Sequence, residues 1–280
     1  MYDQSLDQDS LTQLTLKTEL SHALAEGQLA LVYQPKLNLR NGKVQGVEAL
    51  LRWRHPERGM ILPGQFISLA EQRGLMHHLT QWVMNEALRQ HREWADQGVK
   101  LKVAINVSTS VLYDLDLPDK VAQLLSRWGA PPTALELEIT EEATMRDPER
   151  ALTILSRLSA MGVSLAIDDF GTGYSFLGYL KRLPVNKIKI DKSFVVEMLS
   201  SDSDAKIVHA TIDLAHNLGL HVVAEGVESE AILRKLSRMN CDIAQGLGIS
   251  SPLAGRDMLA WLAAGVSATE IQPIPSVFPA

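Results

Sequence analysis

The stretch VSLAIDDFGTGYSFLGYLKRLPVNKIKID, residues 163–191, holds two short, mostly apolar runs on either side of a turn-rich segment and a short helical pattern. Runs of this kind are typical of strands that are covered on both faces of a sheet. A strand followed by a helix and then by a second strand indicates that the two strands pair in parallel. The stretch therefore predicts one strand–helix–strand unit of a parallel sheet.

The same alternation continues on both sides of this unit. Helical patterns alternate with strand patterns along the chain, and several helices end at a glycine. The predicted helices lie near 63–73, 77–97, 117–128, 148–160, 175–182, 203–218, 228–238 and 255–264, and the predicted strands at 101–107, 134–140, 163–168, 185–191, 220–224 and 241–244.

The beginning of the chain has a different pattern. A helical pattern over 11–26 precedes two strand-like runs, LALVYQPKLNL from 29 and KVQGVEALLRW from 43, on either side of Asn41-Gly42. Asn-Gly between such runs is a strong hairpin signal. With the hairpin, eight strands are expected, and the fold class that they predict is α/β, a modified TIM (β/α)8-type barrel with one antiparallel strand. The alternative, an open doubly wound sheet, would need an early glycine-rich phosphate turn, and no GxGxxG or Walker motif is present.

Bulk properties exclude several classes of protein. A net charge of −6 over 280 residues argues against a protein that binds duplex nucleic acid. Cys241 is the one cysteine, so neither an intrachain disulfide nor a CxxC zinc site is expected. The polar N-terminus does not resemble a signal peptide, and the sequence contains no membrane-length apolar run. These features together predict a cytoplasmic protein.

Polar residues occur at or near the end of each predicted strand from the second onward. The ends of parallel strands meet at one rim of a barrel, where the catalytic groups of such enzymes lie. Five carboxylates at one rim would repel each other, so a divalent cation with oxygen ligands is expected, Mg²⁺ or Mn²⁺. The residues are Glu48, Asn106, Glu138, Asp168, Asp169, Lys189, Glu225 and Gln245.

Other interpretations of these residues stay open at this point. A single strand-end Glu or Asn is more often a loop contact or a helix cap than a metal ligand. Asp169 in particular could cap the helix near 175. Lys187 and Lys189 share one side of their strand, and either could be only a rim charge. A lysine beside a metal cluster can also orient water or bind a phosphate oxygen.

Nine further motifs occur in order along the chain. They are YQPKLNL at 33, VEALLRWRHP at 47 with Glu48-Ala49-Leu50, LPGQFISLAE at 62, NVS at 106, LELEITE at 135, DDFGTGYS at 168, KIKIDKSFV at 187, VVAEGVE at 222 and AQG at 244. In these motifs and in their order, the chain resembles the EAL domain family of bacterial cyclic di-GMP phosphodiesterases over residues about 15 to 265.

The resemblance implies a domain over 15–267, between a polar segment at 1–14 and a tail at 268–280. It implies a modified TIM barrel and a metal site of two ions, Mg²⁺ or Mn²⁺. The implied metal ligands are Glu48, Asn106, Glu138, Asp168, Asp169 and Glu225, with Asp168 shared between the ions. The implied catalytic residues are Glu48, Lys189 and Glu225. Lys189 would contact the attacking water, and Glu225 would be either a ligand of the second metal or the general base.

The remaining implied roles concern the substrate and a loop. Gln34, Arg52 and Gln245 would bind substrate, with Arg52 at phosphate and Gln245 also supporting the water network. Glu141 would anchor the loop after Asp169, which is tied to the dimer interface in this family. Glu228 would support the same neighbourhood. The chain departs from the family pattern at Phe176 and Leu247, neither of which is an implied ligand.

The implied reaction is hydrolysis of one phosphodiester bond of cyclic di-GMP, which gives linear pGpG. The resemblance also implies a homodimer, and it implies that sensor or GGDEF domains can accompany such a domain in a longer protein. Two alternatives are kept: a catalytically weak EAL domain that acts as a cyclic di-GMP receptor, and a barrel hydrolase for another phosphodiester. Receptors of the first kind typically lose metal ligands or the loop-anchoring Glu, and all of these positions are filled here.

Overall fold

The computed structural model describes residues 19–171 and 177–265, and eight of its strands close into a barrel. The barrel closes because β1 pairs with both β2 and β9, in each case antiparallel. All other neighbours in the barrel wall pair in parallel, so the predicted barrel with one antiparallel strand is confirmed. The wall strands are β1 Leu29–Asn38, β2 Val44–His55, β4 Lys102–Val107, β5 Leu135–Thr140, β6 Ser164–Phe170, β7 Lys187–Ile190, β8 His221–Ala224 and β9 Ile243–Ala244.

Two short strands extend the rims of the wall, and helices surround it. Strand β3 (Gly59–Ile61) pairs with β2, and β10 (Leu253–Ala254) pairs with β1. The described helices are α1 19–25, α2 Pro63–Gln72, α3 Met76–Asp96, α4 Thr109–Leu112, α5 Leu117–Trp128, α6 Glu141–Met145, α7 Pro148–Ala160, α8 Leu177–Leu180, α9 Lys192–Glu197, α10 Asp202–Asn217, α11 Glu230–Arg238 and α12 Gly255–Ala263. The rest of the predicted helix over 11–26, the start of the one near 175 and the whole predicted tail lie outside the described residues.

Local sequence explains where several elements begin and end. The side chains of Asp147, Ser201 and Ser229 each accept a hydrogen bond from a backbone N–H in the first turn of the helix that follows. Helix α5 ends at Gly129, which adopts the left-handed conformation that glycine tolerates best. In the predicted hairpin, the N–H of Gly42 donates to the carbonyl of Asn38, so the connecting loop is longer than Asn41-Gly42 alone.

Strand β5 shows how the interior of the barrel is built. Leu135, Leu137 and Ile139 are buried on the face of the strand that packs under the helices, and each contributes roughly 1.5–3 kcal/mol to stability. Glu136 and Glu138 alternate with them and are equally buried, so they point toward the barrel axis. The interior of a TIM barrel is usually filled by branched apolar side chains. Here charged side chains fill part of that interior.

Among the described residues, none of the helices combines the length and apolar composition that a membrane-spanning helix requires.

Candidate metal centre and active site

The predicted polar residues come together at the carboxyl end of the barrel strands. Asn106 on β4 lies opposite Glu138 on β5, and Asp168 on β6 lies opposite Thr140 of β5. Glu225 and Gln245 directly follow β8 and β9. The parallel register therefore brings side chains from strands distant in sequence to a single rim.

Lys189 lies at the centre of this group. Its Nζ is 2.6 Å from Glu138 Oε2, 2.6 Å from Glu225 Oε1, 3.0 Å from Asp168 Oδ2 and 3.8 Å from Glu48 Oε2. The side chain is 1% exposed, so these contacts are made away from water. A buried charge is stable only when it is paired and hydrogen-bonded. The ammonium group therefore reduces the repulsion among the four carboxylates.

Glu48 is held in place by two amide side chains. Asn106 Nδ2 donates to Glu48 Oε1 at 2.7 Å, and Gln245 Nε2 donates to Glu48 Oε2 at 2.6 Å. The same Nε2 lies 3.1 Å from Gln34 Oε1, and the Gln34 amide nitrogen donates to the Ser250 carbonyl. The Gln245 Oε1 atom is buried and has no hydrogen-bond partner among the described residues. An acceptor of this kind fits a site that takes a cation or an ordered water.

Asp169 faces the site because of a local irregularity in β6. Consecutive residues of a regular strand point to opposite faces. The pairing of β6 with β7 shifts register between Ile167 and Phe170, and Asp169 has a φ of 53°. A bulge of this kind redirects a side chain, and positive φ in a non-glycine residue is a strained conformation. As a result, carboxylate oxygens of Asp168, Asp169 and Glu225 lie within 4.8 Å of one another.

The electrostatics of the cluster follow from burial and charge together. Burial alone would lower the pKa of Lys189, but Glu138, Glu48, Glu225 and Asp168 hold it well above its usual value. Burial would raise the pKa of Glu48, but Lys189 and Lys36 lower it below its usual value.

Glu225 and Asp169, two of the implied ligands of the second metal, differ from Glu48 in the direction of their pKa shifts. Burial is the main cause that raises the pKa of Glu225 to about 8; Lys189 opposes this effect, and the nearby Asp168, Glu48 and Glu138 add to it. Burial and then Asp168 raise the pKa of Asp169. Repulsion among the acids is therefore only partly relieved by Lys189, as expected for a site built for a cation.

Two further predicted residues also lie near the cluster. Arg52 on β2 is half-buried and donates to the Leu51 carbonyl at 2.8 Å. Burial lowers the pKa of Arg52, and the nearby Glu48 opposes that effect. Glu141 is buried and its Oε2 accepts a hydrogen bond from the Gly171 N–H at 3.2 Å, so it contacts the loop after Asp169.

The other predicted positions lie outside the cluster. The side chain of Glu228 is exposed, and no hydrogen bond or ion pair joins it to another described residue, so its supporting role stays a prediction. Leu247 is 46% exposed. Phe176 lies outside the described residues.

A second ionic layer below the rim was not predicted. Lys36 Nζ contacts Glu138 Oε1 and lies 3.1 Å from Glu136 Oε1, and Lys187 Nζ lies 2.5 Å from Glu136 Oε2. All of these side chains are buried. The sequence contained one indication of this pairing. Lys36 lies two residues after Gln34 on a strand that is covered on both faces, so its side chain points to the same face as that of Gln34, toward the barrel interior. Lys36 is therefore part of the support of Glu138.

Glycine at position 246 allows Gln245 to reach the site. A Cβ at Gly246 would lie 2.3 Å from both the N and the O of Val227, which is closer than any side chain tolerates. The backbone after β9 therefore packs directly on the backbone after β8, with Val227 N–H donating to the Gln245 carbonyl at 3.0 Å. This explains in physical terms why glycine follows Ala244-Gln245.

Comparison with known proteins gives consistent results. The family described as the EAL domain matches residues 17–252. MucR of Pseudomonas aeruginosa, named a bifunctional diguanylate cyclase/cyclic di-GMP phosphodiesterase, is 45% identical over 263 residues, 94% of this chain and 38% of that protein. PA2567 of the same organism, named a cyclic di-GMP phosphodiesterase, is 40% identical over 262 residues, 93% of this chain and 45% of that protein.

Structural comparison agrees with the sequence matches. The solved structure of the PaMucR phosphodiesterase in complex with c-di-GMP has a TM-score of 0.85 and 46% identity, and covers 87% of this chain and 99% of that one. The chain spans less than half the length of these two curated relatives.

Proposed function

The chain belongs to the EAL domain family, and from this we propose that it hydrolyses one phosphodiester bond of cyclic di-GMP to give linear pGpG. The observation that carries the proposal is the rim cluster, in which Lys189 lies within 4 Å of four carboxylates. The names of MucR and PA2567 support the choice of cyclic di-GMP as substrate.

The donor set fits a pair of Mg²⁺ or Mn²⁺ ions. Both are hard cations that prefer carboxylate, amide carbonyl and water oxygens, and the candidate ligands offer only these. When bound, the ions would supply Lewis acidity, which neutralises charge on the phosphoryl oxygens and makes water a stronger acid. The proposed ligands are Glu48, Asn106, Glu138, Asp168, Asp169 and Glu225.

The side chains of the protein would position the reactants. We assign Lys189 to orient the attacking water, because its ammonium group already donates into the centre of the cluster. Arg52 would bind a non-bridging phosphate oxygen, and Gln34 and Gln245 would contact the substrate or the water network beside Glu48. Glu225 keeps two roles open, as a ligand of the second metal or as the base that takes the water proton. In the overall reaction a water hydroxyl adds to phosphorus and a proton goes to the departing ribose oxygen.

The assembly and the location are parts of the same proposal. The family resemblance supports a homodimer, in which the loop anchored by Glu141 would lie near the interface. Light scattering on the purified chain tests the dimer. A cytoplasmic location is supported by the single cysteine and by the cyclic di-GMP substrate.

The direct test incubates the purified protein with cyclic di-GMP and either Mg²⁺ or Mn²⁺ and measures pGpG by chromatography. We expect pGpG with at least one metal, none with EDTA, and none from Glu48→Ala. Tight binding of cyclic di-GMP without pGpG under either metal would overturn the proposal in favour of a receptor. Turnover of Glu48→Ala at the normal rate would overturn the metal assignment.

A further inference from the structure

A second charged cavity lies at the opposite end of the barrel from the rim cluster. It has a volume of about 300 Å³ and is formed where the parallel strands begin. We call it the basal cavity and define it by Lys36, Arg40, Lys102, Glu136, Lys187 and Asp242. Lys36, Glu136 and Lys187 are buried and form its floor, whereas Arg40 is 72% exposed at its mouth. The cavity is therefore open to solvent and has a charged floor.

The acidic groups of the basal cavity are already engaged. Asp242 accepts hydrogen bonds from Arg40 Nη2 at 3.2 Å, from the Val222 N–H at 2.9 Å and from His216 at 2.9 Å. Glu136 is shared between Lys36 and Lys187. The cavity contains four cationic side chains and two carboxylates, and Glu138, which lies above it and contacts Lys36, is a third carboxylate. The positive charges therefore outnumber the negative charges by one. The cations are Lys36, Arg40, Lys102 and Lys187, and the carboxylates of the cavity are Glu136 and Asp242.

Lys102 is the cation of the cavity that is least compensated by a carboxylate. Its Nζ is 3.9 Å from Glu136 Oε2, beyond hydrogen-bonding distance, and it finds no hydrogen-bond acceptor among the residues described. Burial lowers the pKa of Lys102, as do Lys187 and Lys36, while Glu136 opposes them. An ammonium group has three donors, and Lys187 uses one on Glu136. The basal cavity therefore presents several N–H groups that could donate hydrogen bonds to an anion.

We propose that the basal cavity binds a small tetrahedral oxyanion of the phosphate class, with Lys102 and Lys187 as its main contacts. A tetrahedral oxyanion offers several acceptor oxygens and more than one negative charge, which matches a cluster of ammonium groups. The volume of about 300 Å³ is at the lower end of small-molecule sites and is ample for such an anion. The open mouth beside Arg40 would admit either free phosphate or the phosphate end of a small phosphomonoester. This site is independent of the hydrolysis proposed for the rim.

The test is isothermal titration of inorganic phosphate into the full chain in EDTA, at constant ionic strength. EDTA prevents phosphate from binding to metal at the rim. We expect one saturable site in wild type and affinity lower by about tenfold or more in Lys102→Gln, because a charged hydrogen bond is lost. Lys102 is partly exposed, so this variant should fold, and thermal unfolding checks that it does.

Two matched controls locate the site. Lys206→Gln removes the same charge from the exposed surface of α10, and Arg52→Gln removes a charge from the rim. Both should bind phosphate as wild type does. A titration with glycerol phosphate distinguishes a phosphomonoester ligand from free phosphate. Binding indicates that phosphomonoesters enter the cavity, and no binding indicates that it takes only the free anion. Either result, together with phosphate binding, supports the site. No saturable heat, unchanged affinity in Lys102→Gln, or loss of binding in Arg52→Gln would overturn the proposal.

Discussion

The ammonium group of Lys189 lies 2.6 Å from the carboxylate of Glu225. The family resemblance implies that Lys189 contacts the attacking water and that Glu225 is either a ligand of the second metal or the general base, and in the structure these two groups are bound to each other. The same nitrogen is 2.6 Å from Glu138, so one proton donor links the first and second proposed metal positions. Lys189 therefore pairs with acids of both proposed metal positions, and its removal is expected to affect both the stability of the cluster and the proposed reaction.

Lys189→Met is predicted to destabilise the metal-free protein and to abolish most activity. Removing the ammonium group leaves the four carboxylates without their shared cation, which costs about 3–5 kcal/mol for a buried ion pair. Turnover should fall by about 10²-fold or more, because the group assigned to orient the attacking water is lost. Both effects are measured on one preparation, as chemical unfolding in EDTA and as pGpG formation.

Metal should partly restore the stability of Lys189→Met. A divalent ion that binds the folded state raises stability by mass action, and the variant has more uncompensated negative charge to offer it. We expect Mg²⁺ to raise the melting temperature of the variant more than that of wild type. The exposed Lys206→Met is the control. Equal shifts in all three proteins would show that Lys189 does not compensate the metal site.

Asp169→Asn is predicted to fold normally but to lose activity. Asn tolerates the left-handed conformation at φ 53°, so the backbone of β6 should be kept while one carboxylate is lost. Turnover should fall by on the order of 10²–10³-fold, the usual effect of removing one electrostatic group from an active site.

Asp169→Ala separates the conformation from the charge. Ala lacks the local hydrogen bonding that helps Asn adopt positive φ, so it should lose the same activity and about 1–2 kcal/mol of stability in addition. Chemical unfolding of both variants measures this difference. If Asp169→Asn retains full activity, the carboxylate has no role in the reaction.

Glu141→Ala is predicted to lower metal affinity or activity by about 10–100-fold, the usual effect of removing a residue that supports ligands. Glu141 Oε2 accepts the Gly171 N–H, two residues after Asp169, and its loss leaves that donor without its partner. Glu142→Ala is a closely matched control, since Glu142 is also an acid in the first turn of α6 but is exposed. Mn²⁺ titration and kcat measure both variants. Equal impairment of the two would argue for an effect on the helix rather than on the loop.

The positions of the rim residues could be predicted because they depend on simple periodicity. Once strands and helices alternate, the ends of parallel strands must meet, so Glu138 and Asp168 could be placed at one rim from the sequence alone. The hairpin could be predicted for a similar reason, since the Asn-Gly signal is local.

The orientation of Asp169 and the pairing of Lys36 could not be predicted in this way. Period-two alternation places Asp169 opposite to Asp168, and only the bulge in β6 reverses it. Lys36 reaches Glu138 across 102 positions of sequence, and the contact depends on how β1 closes the barrel. Sequence periodicity predicts the face of the strand to which a side chain points, but it does not predict which residue that side chain contacts across the barrel.

Asp242→Asn is predicted to destabilise the protein by about 1.5–3 kcal/mol at neutral pH, because a buried carboxylate that accepts bonds from Arg40, His216 and the Val222 N–H is neutralised. Burial would raise the pKa of Asp242, but the bonds from His216 and Val222 lower it below its usual value. A carboxyl with a depressed pKa adds stability that is complete above its ordinary value of about 3.9 and is lost as pH falls through the depressed value. The difference in unfolding free energy between wild type and variant should therefore be present at about pH 5 and shrink below about 4. Urea unfolding of both proteins across this range measures the difference in unfolding free energy. If that difference does not shrink below about pH 4, the charge of Asp242 is not its source.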